Sequence, residues 1–349
     1  MPRIFLLAGL LASTAALATP ATVPTYKLTA TLHLGAPDQW DRLAYDDTNQ
    51  RLFIAHGTQV TVVSTSGVSR AATSHAAPMT IAGSIGGFDA ARGVALVPGG
   101  FGYAAGGHGG GVVVFDKSSL QKLRTIPTGG SSDAVVYDPS STNIFVANHE
   151  GGAIAVVTTA MDNVVATIQA GGKLSSAAAD GLGNLYINQE DTSTVLRIST
   201  ATNMVTARWH LTDCVQPQGL ALDRYNERVF TACQNGRMTV LDGNNGRVLA
   251  RPAIGLGSFA LVYDSGRHLI FSSNSDGTVS MVDAVSLAPL GALQTAPGAR
   301  NMAVDPINGH LFLVTADVAG SRAAPRLGLP PELSFTPDTL KLLVFSPAS

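Results

Sequence analysis

The run GHGGG at residues 107 to 111 sets His108 among glycines. This is the residue pattern of an esterase oxyanion loop, in which backbone N–H groups meet developing negative charge. That chemistry also needs a nucleophile on a Gly-x-Ser-x-Gly elbow, and the chain has none. The adjoining GGFGYAAGG offers Gly100, Gly102 and Gly106, but their spacing is wrong for a dinucleotide loop and no helical pattern follows. Both stretches read as strand-connecting turns, where glycine supplies positive φ angles. There is no Cys-x-x-Cys-His for haem and no Walker loop, and Trp40 and Trp209 are too few for the repeated Trp of a quinoprotein propeller.

Carboxylates, amides and one arginine remain as candidates. Asp41, Asp133, Asn148 and Glu190 carry the oxygen donors that would hold calcium in a lactonase-like hydrolase. With Gln218, Arg300 and His56 they would instead make a mixed polar lining for a small ligand. A His56, His108, His149 metal cluster lacks any fixed ligand spacing. These residues are scattered along the sequence, so only a repeating architecture would bring them together.

Such a repeat is present. An Asp follows an apolar run at positions 46, 138, 180, 223, 264 and 305, at steps of about 42 residues over the last five. The stretch GVALVPGGFGYAAGGHGGGVVVFD supplies the unit between Asp46 and Asp138, with Pro98 in the anchor place, which makes seven units. Each reads as four short strands: Val, Ile, Thr and Gly/Asn/Asp turns are plentiful, and helical periodicity is absent. Four-stranded units of roughly 40 to 45 residues are the sequence form of a propeller blade. The segment TYKLTATLHLG, residues 25 to 35, is a strand with no unit of its own, and the last unit shows only three strands. The N-terminal strand is therefore expected to close the ring, removing the open edge of a linear array.

The second strands read FVAN, FIAH, YINQ, FTAC, FSSN and FLVT. They are similar to the YVTN repeats of the YncE-like secreted β-propellers, a WD40-like architecture, over about residues 25 to 345. The resemblance implies the fold and, for function, a binding protein. The second unit departs from it by lacking the Asp and by its Gly-rich turn.

Equivalent positions in a propeller lie on one ring. Five residues before each anchor stand Asp41, Gly93, Asp133, Ser175, Gln218, Phe259 and Arg300, and the second strands end in His56, Gly106, Asn148, Asn188, Cys233, Asn274 and Thr315. Both rings are expected at one rim. There Arg300 should face Asp41 across the closure, and Asp133 should look across from the third unit. The Asn residues can equally cap turns. His149, Glu190 and Asp191 fall in an outer turn and are expected to be solvated. The insertion DVAGSRAAPRLGLPPELSFTPD, residues 317 to 338, leaves from the same rim and would form a lid.

Only 13% of residues are charged, the formal net charge is −2, and Lys and Arg do not cluster. Nucleic acid is therefore not an expected partner. Arg3, an apolar run from Ile4 to Leu17 and the small residues Ala16 and Ala18 form an export signal, expected to be cleaved after Ala18. That leaves one propeller domain over residues 19 to 349, periplasmic or secreted, with no membrane insertion. In that compartment Cys214 and Cys233, which the register brings to one rim, are expected to form a disulfide. The sequence thus points to an all-β, seven-bladed propeller that is a monomer without a cofactor. It would bind a small polar molecule or a protein partner at a lidded mouth. A calcium-dependent hydrolase is the alternative.

Overall fold

The computed structural model describes residues 23–36, 39–68, 79–109, 111–324 and 329–348. The expected leader, residues 1 to 18, lies outside them. Every regular element among the described residues is a strand, and the strands form seven four-stranded antiparallel blades plus one small hairpin. In the third blade Ser132–Asp138, Asn143–Asn148, Ala153–Thr158 and Asn163–Gln169 run in order from the central channel to the outside. The other blades start at Trp40, Val94, Leu174, Pro217, Ser258 and Asn301, and neighbouring first strands touch around the ring.

The seventh blade draws on both ends of the chain. Asn301–Val304 and Leu311–Thr315 are followed by Lys341–Pro347, and the outer place is taken by Tyr26–His33, with Tyr26 opposite Pro347 and His33 opposite Lys341. The N-terminal strand therefore closes the ring.

The core consists of seven seams, one between each pair of adjacent blades. Second and third strands are covered on both faces, which is why they read as unbroken apolar runs. In Asn143–Asn148, Ile144 and Val146 enter the seam with the second blade, while Phe145 and Ala147 enter the seam with the fourth. The recurring aromatic has one job throughout. Phe53, Tyr103, Phe145, Tyr186, Phe230, Phe271 and Phe312 each fill the seam to the following blade. Burying each contributes roughly 1.5–3 kcal/mol. Fourth strands instead alternate, as in the exposed and half-buried residues of Asn163–Gln169.

The anchor Asp residues are turn formers. Asp138 is fully buried and accepts from the backbone N–H and hydroxyl of both Ser140 and Ser141. Asp223 and Asp305 hold the backbone and side-chain amides of Asn226 and Asn308 in the same way. These are Asx turns. Four residues after the anchor the backbone is left-handed at Gln50, Thr142, Glu227, His268 and Gly309, which lets each chain reverse into the next strand.

Candidate functional site

The mouth is built by an irregularity of the first strands. In the first blade Trp40 pairs with His56 and Leu43 with Ile54, so one extra residue is accommodated between them, and the third blade repeats this between Ser132 and Val135. A bulge of this kind turns two successive side chains toward one side. Asp41 and Arg42 accordingly both line a cavity of about 300 Å³ at the channel entrance, together with Arg92, His108, Asp133, His149, Glu190, Gln218, Phe259 and Arg300.

Ion pairs here cross between blades. Arg42 donates to Asp133 at 2.9 Å, and Arg92 donates to Asp41 at 2.9 Å. The second Asp41 oxygen is buried without a hydrogen-bond partner, with Arg42 at 4.0 Å. Arg300 does not pair with Asp41 as the register suggested, because Arg92 holds that carboxylate. The Arg300 guanidinium lies 4.8 Å from the centre of the Phe259 ring, and among the described residues it has no carboxylate within ion-pair range. The residue is exposed and opens onto the channel. The protein packed around the channel strips enough water from the guanidinium to hold its pKa below the usual range; the charge of Asp41 opposes the shift and that of Arg92 adds to it. For Arg42 burial acts the same way, but the carboxylates of Asp133 and Asp41 outweigh it and the pKa rises.

Glu190 and His149 are not the solvated pair expected of an outer turn. The Glu190 side chain is 12% exposed and lies 3.9 Å from the His149 ring, whose Nδ1 donates to the Leu174 carbonyl at 2.7 Å. Burial raises the Glu190 pKa against the opposing effects of His149 and a hydrogen bond from Gln218. Asp191 is exposed and accepts from the Lys173 backbone.

The second ring is structural. His56 is fully buried and bonds Thr61 at 2.9 Å. Asn148 donates to the Thr128 carbonyl, while Asn188 and Asn274 satisfy neighbouring backbone or hydroxyl groups. None of these lines the mouth cavity. Cys233 is bonded to Cys214, which ties the connection between the fourth and fifth blades to the rim.

The insertion after the seventh blade's second strand folds as a hairpin, Val318–Arg322 with Glu332–Phe335; residues 325–328 lie outside the described residues. Phe335 packs edge-on against Trp40 at 4.8 Å. Leu329, Pro330, Pro331, Leu333 and Phe335 then roof a cavity of about 500 Å³. This chamber shares Glu190, Gln218, Phe259 and Arg300 with the mouth and adds Gln216 and Gln234 to its walls.

Arg42 and Arg92 were not singled out from the sequence. The second blade carries Gly93 at the ring position, and a Cβ there would stand 2.5 Å from the Asp133 carbonyl oxygen. That tight approach leaves the preceding Arg92 as this blade's contribution. The one available signal was that a charged residue adjoins the ring position in these two blades. In the GHGGG run Gly107, Gly109 and Gly111 stand at positive φ, and Gly110 lies outside the described residues.

Fold and site together define a seven-bladed β-propeller with a charged mouth under a hairpin strap. Compared with models of known protein families and with curated proteins, the sequence matches none.

Proposed function

We propose that this protein is an exported binding or scaffold propeller, akin to the YncE-like YVTN-repeat proteins, that takes a small polar ligand or a protein partner at the strapped mouth. The observation that carries the reading is Arg300: a guanidinium set on an aromatic ring and lining the chamber, with no carboxylate paired to it among the described residues. A guanidinium left open to the channel is a ready donor to an anionic group, and a ligand would supply one. The disulfide fits an oxidising compartment, and the low charge density argues against nucleic acid.

The hydrolase alternative fares less well on its donor set. Asp41 and Asp133 each accept from an arginine, Asn148 is turned into its blade, and no cluster of three or more His, Cys, Asp or Glu that could hold a metal occurs among the described residues. Elemental analysis of purified protein separates the two classes, and the binding reading expects no stoichiometric calcium. The main test is titration calorimetry with a panel of polar metabolites against the wild type and Arg300→Ala. The expected outcome is a ligand whose affinity falls at least ~10-fold in the variant, the loss of a charged hydrogen bond, with the melting temperature unchanged. A lowered melting temperature with unchanged affinity would overturn the assignment.

A further inference from the structure

The strapped chamber has a more specific chemical character than polarity. Its floor holds Arg300 on the face of Phe259. Toward the mouth stands Glu190, a carboxylate only 12% exposed with the His149 ring at 3.9 Å; burial disfavours its charge, and His149, Gln218 and Arg42 offset this in part. One cation with no carboxylate in ion-pair range among the described residues and one enclosed anion thus face the same cavity. A ligand that relieves both must itself carry both charges.

Between these poles the wall is amide, and the roof is apolar apart from Glu332. Gln216 and Gln234 line the chamber, and among the described residues their side chains make no hydrogen bond to protein. Gln216 is moreover held at a φ of 50°, in the left-handed region that non-glycine residues seldom adopt, two residues beyond the disulfide-bound Cys214. The fold therefore maintains an unfavourable backbone angle at a residue whose primary amide lines the cavity. Primary amides donate and accept at once, which is what a peptide bond requires of its surroundings. Overhead, Leu329, Pro330, Pro331, Leu333 and Phe335 offer hydrocarbon and ring surface.

From these features we infer that the chamber binds a short peptide of two or three residues with free ends and apolar side chains. This rests on the binding reading given above and names its ligand class. The terminal carboxylate sits on Arg300 and the terminal ammonium on Glu190. The peptide bonds lie against Gln216, Gln218 and Gln234, and the side chains lie beneath the strap. A volume of about 500 Å³ exceeds the needs of a single amino acid and suits a di- or tripeptide. The strap seats the apolar groups, so peptides rich in Leu, Ile or Phe are preferred over charged ones.

The test uses the full mature chain and L-leucyl-L-leucine as probe, with its C-terminal amide, its N-acetyl derivative, a neutral disaccharide and succinate for comparison. Titration calorimetry should show leucyl-leucine binding and about tenfold or greater weakening for either blocked derivative. In Arg300→Gln the acid and the amide should bind equally, and in Glu190→Gln the free and acetylated peptides should do so. Leu333→Asp, on the exposed hairpin, should weaken leucyl-leucine but not glycyl-glycine. Circular dichroism melts establish that each variant is folded; should one fail, the blocked ligands on the wild type decide alone. Equal binding of the acid and its amide to the wild type overturns the peptide assignment. So does mouth binding by the disaccharide or succinate in place of the peptide, an outcome that leaves the binding reading standing. No binding of any probe or of the wider metabolite panel overturns both.

Discussion

The two rims of the propeller treat charge in opposite ways. At the anchor rim Asp46, Asp138, Asp223 and Asp305 each hold a backbone N–H three residues on, and side chains from neighbouring blades join that turn, Lys117 at Asp46 and Tyr45 at Asp305. At the mouth Asp41, Asp133 and Glu190 meet partners from other blades, and Arg300 has no carboxylate partner among the described residues. The first arrangement recurs around the ring and builds turns. The second occurs once and leaves charge to spare. In a repeat protein the repeated feature serves the fold, and the departure from the repeat is where function is sought.

The largest effect expected on this contrast comes from the mouth rim. Replacing Cys214 and Cys233 by Ser releases the loop they close and should cost on the order of 3 kcal/mol in the chain-entropy account. It should also free Gln216 and weaken binding at the mouth. Denaturant unfolding of the double variant and intact-mass analysis of the parent check this, and two free thiols in protein exported to an oxidising compartment would refute the pairing.

A smaller effect tests the anchor rim. Asp138→Ala should lower stability by about 2 kcal/mol through the donors it strands and leave mouth binding untouched. Burial pushes the Asp138 pKa up, but the bonds from Ser140, Ser141 and Thr200 win and it lies below the usual range. Its stabilisation is therefore present above the unfolded value of ~3.9 and lost as the pH falls through the folded value. Melts of the wild type and the variant should converge in acid.

The smallest effect has the opposite sign. Burial raises the Glu190 pKa above the ordinary 4.5, so its contribution is most favourable below that value and declines as the pH rises through the folded pKa. Glu190→Gln should leave acid stability alone and raise stability at neutral pH by about 0.5 kcal/mol, an amount typical of relieving a partly buried charge. Urea titrations at pH 4 and pH 7 read the difference. A variant less stable at pH 7 than at pH 4, relative to wild type, would place Glu190 with the fold-building carboxylates.

Much of the architecture was legible because it is written seven times. The Asp spacing, the aromatic of each second strand and the orphan strand at residues 25 to 35 suffice for blade number, strand order and closure. The ring five residues before the anchors also led to Asp41, Asp133, Gln218 and Arg300, which the structure brings to one cavity. The second ring misled for His56 and Asn148. A residue at a strand's end has two sides to turn to: His56 bonds Thr61 of its own blade and Asn148 the Thr128 carbonyl in the link from the second blade, and neither lines the cavity. Arg42 escaped because a bulge breaks the strict alternation of a strand, and no period of two predicts the side of its extra residue; Arg92 escaped because it precedes its blade's first strand, beside a Gly93 that packs on the Asp133 backbone. The pairing of Arg92 rather than Arg300 with Asp41 depends on side-chain reach across a seam, which register does not encode.

The strand Tyr26–His33, paired with Lys341–Pro347, also has a kinetic meaning. Nearly the full length of the chain separates two partners that must meet for the ring to shut, a contact order at the far end of what β-proteins show. Blades two to six are contiguous in sequence and can form as the chain is synthesised, whereas the seventh waits for residues 341–347. Until then Tyr26–His33 has no strand to pair with, and a bare strand edge is the usual starting point for association with another chain. Folding should therefore show a slow final phase that a circular permutant opened between two blades would lose.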